Sequence, residues 1–484
     1  MSRINSNIPS MVAQRHLAVS QHALSLALER LATGVRINRG ADDPAGLIVS
    51  ERLRSEIAVA QQAVRNTSRA INVIATAEGA LNEVGAMLND IKALVVEAAN
   101  SGAFSDEEIA ANQMQIDASI DSISRIANTT EFAGRKLING ELDYVLSSVE
   151  TPKLADVRVV GASFGSRAYV PVEVELTLSA QQAQVGYPLQ YVTASGATVN
   201  IAGPDGIVTL SFPASASSND IATAINARTD STGVKALVSG AGGASGVNIY
   251  SESYGSRAFV SVEEVEPSGA FAVYDRSDNG QKIRAVGRDA SATINGVSTV
   301  SDGLKVSVSD RFLAVNLILS ESFGGGSTGT GSSEFEITGG GALFQLGPEV
   351  NTNLQTNIGV QSMQANELGN ALVGYLSDLK SGQANALNTE NFKEASDIVD
   401  EVITQVAVLR GRLGAFERNT LQPNIAQLQI TSENLKSSES VIRDTDFAVQ
   451  TAELTRAQIL VQAGNSILTI ANAQSQNVLA LLGG

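Results

Sequence analysis

The stretch from Leu454 to Gly484 restricts what this chain can become more than any other. Leu454, Ala457, Val461, Gly464, Leu468, Ala471, Val478 and Leu482 follow a three-four spacing, the seam of a helix that packs along another helix. A second row runs beside it through Leu460, Ala463, Ile467, Ile470 and Leu481. Two adjoining apolar rows leave little purely polar face, so the helix must meet several neighbours at once. It carries no aromatic anchor and is rich in Ala, Gly, Ser and Asn. Such a helix at a chain end is expected to be buried by other chains, not by its own domain.

The opposite end carries the same pattern. Ala13, Leu17, Ser20, Leu24, Ala27, Leu31 and Gly34 lie on one seam, and the match suggests that the two terminal helices pair. Gly34 is expected to end the first helix. After a turn, Asp43 can act as N-cap with Pro44 at the first helical position. The second helix is predicted from Pro44 to about Asn100, its seam running through Leu53, Ala60, Ile74, Leu81, Leu88 and Val95. Glu78 is the one charge on that stripe, marking either an irregularity with Gly79 or the wet edge of a bundle. A third helix is predicted from Asp106 to Asn128, and Asn139-Gly140 reads as a hairpin turn opening a β-rich region.

From about 142 to 350 the apolar period changes to two. Val170, Val172, Val174 and Leu176 alternate with Glu173 and Glu175, and turn pairs recur at Asp205-Gly206, Asn279-Gly280, Asn295-Gly296 and Asp302-Gly303. Residues 163–170 and 253–260 form an internal repeat, and one helix is expected from Ser218 or Asn219 to Ala227. Two small α+β units in tandem are the expectation, followed by a flexible Gly/Ser run from Gly324 to Ser333. Helical period returns after about 355. From Phe392 it is unbroken through Ala395, Val399, Val402, Val406, Leu409, Leu413 and Phe416, and Pro423 predicts a break or kink near Thr420.

The fold class expected is therefore a multidomain mixture of α and β parts. Terminal coiled-coil helices (1–43 with 444–484) and a long-helix bundle (44–142 with 351–443) come from both chain ends. An inserted β-rich region, 143–350, holds two domains. A length of 484 residues accommodates about three domains at ~150 residues each.

Chemistry is sparse. Aromatics make up 4% of the chain and Trp is absent, which favours bundles and sheets over a deep ligand pocket. A net charge of −17 disfavours a nucleic-acid partner. With no cysteine there are no disulfides and no thiolate nucleophiles or ligands. No cleavable secretory signal is visible, and no run of ~18 apolar residues would insert in a membrane. His16 and His22 are the only histidines, and their spacing is not that of a zinc-protease helix. Gly-rich stretches lack the Lys-Ser/Thr of a phosphate loop. The acidic run Asp397-Ile398-Val399-Asp400-Glu401 reads as the solvated face of a helix. No catalytic, cofactor or metal site is expected, and hence no enzyme.

Several motifs together resemble bacterial flagellins. They are Leu28-Glu29-Arg30-Leu31-Ala32-Thr33-Gly34-Val35-Arg36-Ile37-Asn38, then Ala41-Asp42-Asp43-Pro44-Ala45-Gly46, and Ala77-Glu78-Gly79-Ala80-Leu81-Asn82-Glu83. At the other end stand Arg443-Asp444-Thr445-Asp446-Phe447-Ala448, the run from Arg456 to Gly464, and Gln476-Asn477-Val478-Leu479. The likeness covers residues 1 to about 142 and 383 to 484. In the middle, the stretch from Asp220 to Asn226 with Thr232-Gly233-Val234 is similar to a strand-helix-strand insert of many flagellins. Phe344-Gln345-Leu346-Gly347 resembles the family's return segment into the tube domain.

The resemblance implies an extracellular filament subunit, exported by the flagellar type III route and polymerising with itself for swimming. It also implies an export chaperone on the segment from about Ile442 to Gly484, and filament cap and hook-junction proteins as partners. Many flagellins are sensed by an innate immune receptor through a patch matching Asp90, Leu94 and Gln115 here. Asp90 stands where the family pattern has Arg, and Gln115 where it has Glu, so loss of sensing is expected. A hook–filament junction protein would share the terminal helices, and an enzyme housed in the β insert is the more distant alternative.

Overall fold

In the computed structural model the described residues exclude 1–6, 101, 103, 166, 189–191, 193–195, 240–245, 266–270, 276–282, 311, 326–329 and 483–484; for residues 239, 275 and 474–482 only the backbone is described. The helices are α1 (Ile8–Thr33), α2 (Pro44–Ala98), α3 (Asp106–Thr129), α4 (Ser218–Asn226), α5 (Thr229–Thr232), α6 (Glu321–Gly324), α7 (Phe392–Phe416), α8 (Gln422–Arg443) and α9 (Phe447–Leu482). The chain divides into two compact units. One comprises Met1–Ser68, Leu346–Glu349 and Gln422–Gly484, and the other comprises Arg69–Gln345 and Val350–Leu421.

In the first unit, local chemistry sets the ends of α1. The Asn7 side chain accepts the Ser10 N–H at 3.1 Å, and Pro9 sits in the first turn, where no N–H is needed. Gly34 closes the helix at φ +72°, its N–H reaching the Arg30 carbonyl at 2.9 Å. The first part of α2, α8 and α9 complete this unit. Asn424 of α8 donates to Thr67 of α2 at 3.1 Å and to the Leu346 carbonyl at 2.9 Å.

In the second unit, α2 runs without interruption through Glu78 and Gly79. Glu78 is half-buried beside Gly414 of α7, where an added Cβ would stand 3.3 Å from its carboxylate oxygen. The α7 stripe Ala395, Val399, Val402, Val406, Leu409 and Leu413 is fully buried. The irregularity expected near Thr420 is present, for α7 ends at Phe416 and α8 starts at Gln422. The helix widens to a π turn at Glu417–Leu421 ahead of Pro423, which spares the carbonyl that the proline ring would strike.

The segment after 355 is not helical before Phe392 but a chain of turns, 3-10 pieces and two-residue strands. Gln113 of α3, 5% exposed, holds it in place: its amide donates to the Leu379 carbonyl at 2.8 Å and accepts the Leu387 N–H at 2.7 Å. The side chain substitutes for a strand partner that this loop lacks.

The β region has two cores, and they are nested rather than tandem. The outer core joins residues of 144–180 with those of 290–337, while the inner core lies wholly within 183–285. The outer unit pairs a five-stranded sheet with a four-stranded one; Val172, Val174 and Leu176 point inward while Glu173 and Glu175 face solvent. The inner unit has two four-stranded sheets with α4 against its core, where Tyr187 and Phe271 stack at 4.1 Å. Only the inner unit is α+β; the outer has the single-turn α6. Both copies of the internal repeat connect one strand to the next through a left-handed glycine, Gly165 or Gly255.

Two expectations change and a third is left untested. The first hairpin turns at Ala133-Gly134, both at positive φ, and Asn139-Gly140 is an Asx turn in which Asn139 accepts the Glu141 N–H. Asn279-Gly280 lies outside the described residues. The Gly/Ser run is largely ordered at its ends, Gly324 in α6 and Gly331 to Ser333 in the strand Gly331–Gly340.

Replacing Gln113 by Leu strands the Leu379 carbonyl and the Leu387 N–H in the interior. Each stranded group is expected to cost about 1–3 kcal/mol. A lowered urea midpoint with faster hydrogen exchange at Leu387 is the expected result; an unchanged midpoint would show that the loop is held by other contacts.

Candidate assembly surface

Helices α1 and α9 pack along each other, and both predicted seams face this contact. Ala13, Ala27, Ala457 and Ala471 are buried; Leu17, Leu24, Leu31, Leu454, Val461, Gly464 and Leu468 are half-buried. A Cβ on Gly464 would come within 3.2 Å of a Leu17 methyl, so the glycine allows the close approach. Asn7 donates to the Ala471 carbonyl at 3.0 Å, and the Ser10 hydroxyl donates to Asn472 at 2.8 Å. The side chains of Val478, Leu481 and Leu482 lie outside the described residues. The seam expected to be covered by other chains thus meets α1 of its own chain, because α1 repeats its spacing.

The second row is what stays uncovered. Ile467 is 57% exposed, Ile470 64%, and Leu460 and Ile459 are open beside them. On α1, Met11, Val12, Val19 and Leu28 are exposed as well. These exposed apolar side chains on both helices make the pair a candidate interaction surface.

At the base of the pair, the two end motifs form one joint. Val35 and Asp444 make an antiparallel bridge; the Arg36 N–H donates to the Arg443 carbonyl at 2.7 Å, and the Thr445 N–H to the Gly34 carbonyl at 3.0 Å. The Arg36 guanidinium donates to the Ile442 carbonyl, 406 positions away, at 2.7 Å. Asp42 accepts the N–H groups of Asn38 and Arg39 at 3.0 and 2.8 Å, and these bonds hold its carboxyl below the usual range. Asp43 caps α2 by accepting the Gly46 N–H at 2.9 Å, ahead of Pro44. A Cβ on Gly46 would stand 2.5 Å from the Asp43 carboxylate and 2.7 Å from the buried Ile37 methyl, so a larger residue would have to displace the cap or Ile37. Asp446 caps α9 through the Ala448 N–H at 2.8 Å, and Arg443 pairs with Glu51 at 3.1 Å. The sequence showed each turn separately. The matching seams predicted that the two helices pair, but no residue pattern singled out this joint.

The remaining predicted residues are scattered. Asp90 and Gln115 are exposed on α2 and α3, and Leu94 is half-buried. His16 and His22 are exposed on α1, and no group of metal-binding side chains occurs among the described residues. Nor is any described helix long and apolar enough to cross a membrane.

Comparison with known proteins bears on both ends and the middle. The family described as the bacterial flagellin N-terminal helical region matches residues 4–143, and its C-terminal counterpart matches 396–482. The flagellin hook IN motif matches 198–251, within the inner β unit. The flagellin of Salmonella muenchen is 28% identical with 99% of each chain covered, and the B-type flagellin of Pseudomonas aeruginosa gives the same figures. The flagellin of Salmonella rubislaw is 29% identical over 99% of both chains.

Two outcomes are expected at the joint. Asp43→Ala removes the cap and should destabilise the first unit by about 1 kcal/mol, read as a lower melting temperature, with Asp43→Asn close to wild type. Asp42 has a lowered carboxyl pKa in the folded chain, so its contribution is present above the unfolded value and is lost as pH falls through the folded one. Asp42→Asn should therefore melt below wild type at neutral pH, with the gap closing in strong acid; a gap that persists below about pH 2 would count against this origin.

Proposed function

The chain belongs to the bacterial flagellin family, a family of filament subunits, and we propose that it polymerises through its terminal helices into the tube of a swimming flagellum. The exposed row of α9 carries this reading. Ile467 and Ile470 face away from the α1 seam, so the surface they form is free for other copies while the helix pair stays intact. The exposed residues of α1 supply the complementary half. Two different faces meeting between identical subunits make a heterologous contact, and where its rotation does not close it propagates as a helix of subunits. Junction proteins share the terminal architecture, but the relatives matched over nearly the full chain are flagellins.

The same surface accounts for the other partners. Before assembly, an apolar row of this size must be shielded, which suits an export chaperone on about Ile442 to Gly484. Cap and hook-junction proteins would meet it at the filament ends. Export by the type III route, without a cleaved signal, suits a chain free of cysteine. The inserted β units decorate the outside. The exposed, acidic Asp90 replaces a basic residue of the sensed pattern, so receptor activation should be weak or absent.

The test is electron microscopy of purified, seeded protein. Wild type is expected to form micrometre filaments; a chain ending at Glu453 should remain monomeric. The double variant Ile467→Glu with Ile470→Glu should also stay monomeric while keeping its helical circular dichroism. If the double variant polymerises like wild type, the exposed row is not an assembly surface.

A further inference from the structure

The acidic run of α7 is not a plain solvated face. Asp400 pairs with Lys92 of α2, and Glu401 pairs with Lys305 of the strand Lys305–Ser309 at 3.1 Å. Burial alone would raise the Glu401 carboxyl, but the Lys305 ammonium and hydrogen bonds from Lys305, Gln405 and Asn370 outweigh it and hold the pKa low. One turn before this run, Lys393 reaches in two directions. It pairs with Asp397 of its own helix at 3.1 Å and with Asp205 at 3.5 Å. Asp205 lies in the turn between the strands Ala197–Gly203 and Gly206–Phe212 of the inner β unit. Glu252 of that unit adds its field at Lys393, and Glu394 of α7 acts on Lys235, which pairs with Glu252 at 2.6 Å.

The outer and inner β units are thus attached to one helix by contacts of different kinds. In the outer unit's pair Glu401 is 23% exposed and Lys305 45%, and Glu401 is held further by a hydrogen bond from Gln405 at 3.1 Å. The attachment of the inner unit is open: Lys393 and Asp205 are 34% and 40% exposed, and their separation is at the long end for a direct pair. Exposed pairs are weak and are screened by salt, whereas partly buried ones are screened much less.

We infer that the first turn of α7 is an electrostatic latch for the inner β unit, closed through Lys393–Asp205 at low ionic strength and released by salt, while Lys305–Glu401 keeps the outer unit anchored. The nested topology permits this, because residues 183–285 form their own core and can leave α7 without opening the outer one. Ionic strength would then set how far the inner unit projects from the helix. The inference does not depend on filament assembly, and the monomer tests it.

The chain has no cysteine, so two introduced ones can be labelled cleanly. Spin labels at Thr223→Cys on α4 and Ala407→Cys on α7, both exposed, report the distance between the inner unit and the helix. The measurement runs from about 0.01 M to about 1 M salt, over which the Debye length falls from roughly 30 Å to 3 Å. A single narrow distance at low salt that broadens and lengthens at high salt is expected. Lys393→Gln, on the helix surface, should broaden it already at low salt. The exchange Lys393→Asp with Asp205→Lys should restore the narrow low-salt distance if the turn folds, which the circular dichroism and melting of the variant check. A distance that ignores both salt and Lys393→Gln would overturn the latch, as would one that is broad in every condition.

Discussion

A helix with two adjoining apolar rows can cover only one of them against a single partner helix, and α9 illustrates how much follows from that limit. Its small-residue row is used up by α1: Ala457 and Ala471 are buried there, and Gly464 lets Leu17 approach. Its row of larger side chains, Leu460, Ile467 and Ile470, is left without a cover. Fully burying one side chain of this size is worth about 1.5–3 kcal/mol. Under the proposed assembly, several such side chains per subunit would offset the entropy lost on association. The covered row combines close approach at Gly464 with larger side chains such as Leu454, Val461 and Leu468, all half-buried.

Which row faces outward depends on register, and the joint at the base of the pair sets it. The bridge between Val35 and Asp444 and the crossed hydrogen bonds of Arg36 and Thr445 tie the two helix ends at one level. Sliding α9 by a turn, about 5.4 Å, would break all of them at once. Gly34 serves both the tie and the end of α1, while Asp42, Asp43 and Gly46 shape the turn that leads into α2. The left-handed cap, the close approach to Ile37 and the two carboxylates bonded to N–H groups all sit within the turn.

The helices were legible because their period and their caps agree. The Phe392 start of α7, the left-handed Gly34 and the Asp43 cap each rest on local chemistry that needs no distant partner. What distant partners decide was not legible. Glu401 reads as solvated in a list of acids, yet Lys305, 96 positions away, pairs with it. Gln113 reads as a polar position on α3, yet it holds a loop whose N–H and carbonyl have no strand to bond. Nesting escaped for the same reason: alternation marks each strand but not its neighbours, so two cores that share one stretch of chain look like two in a row. The irregularity that Pro423 signals near Thr420 was legible, and it takes the form of the π turn Glu417–Leu421 between α7 and α8.

Nesting has its own physical logic, visible at the two necks. Where the chain leaves the helices, the Val360 N–H donates to the Leu142 carbonyl at 2.9 Å and the Gly341 N–H to the Asp143 carbonyl at 3.1 Å. Arg412 of α7 donates to the Gly359 carbonyl beside them at 2.5 Å. The inner unit repeats the device: Gln181 and Arg288 exchange N–H and carbonyl bonds at 2.7 and 2.9 Å, and the Arg288 guanidinium donates to the Ser179 carbonyl. A neck of this kind asks only that two chain ends stay within hydrogen-bonding reach. Whatever lies beyond it can grow, shrink or move while the loop-closure cost changes slowly with length. The terminal helices have no such freedom, because every row on them is either committed to the other helix or left for a neighbour. Constraint therefore falls from the helices outward, and the latch on α7 acts where it is weakest.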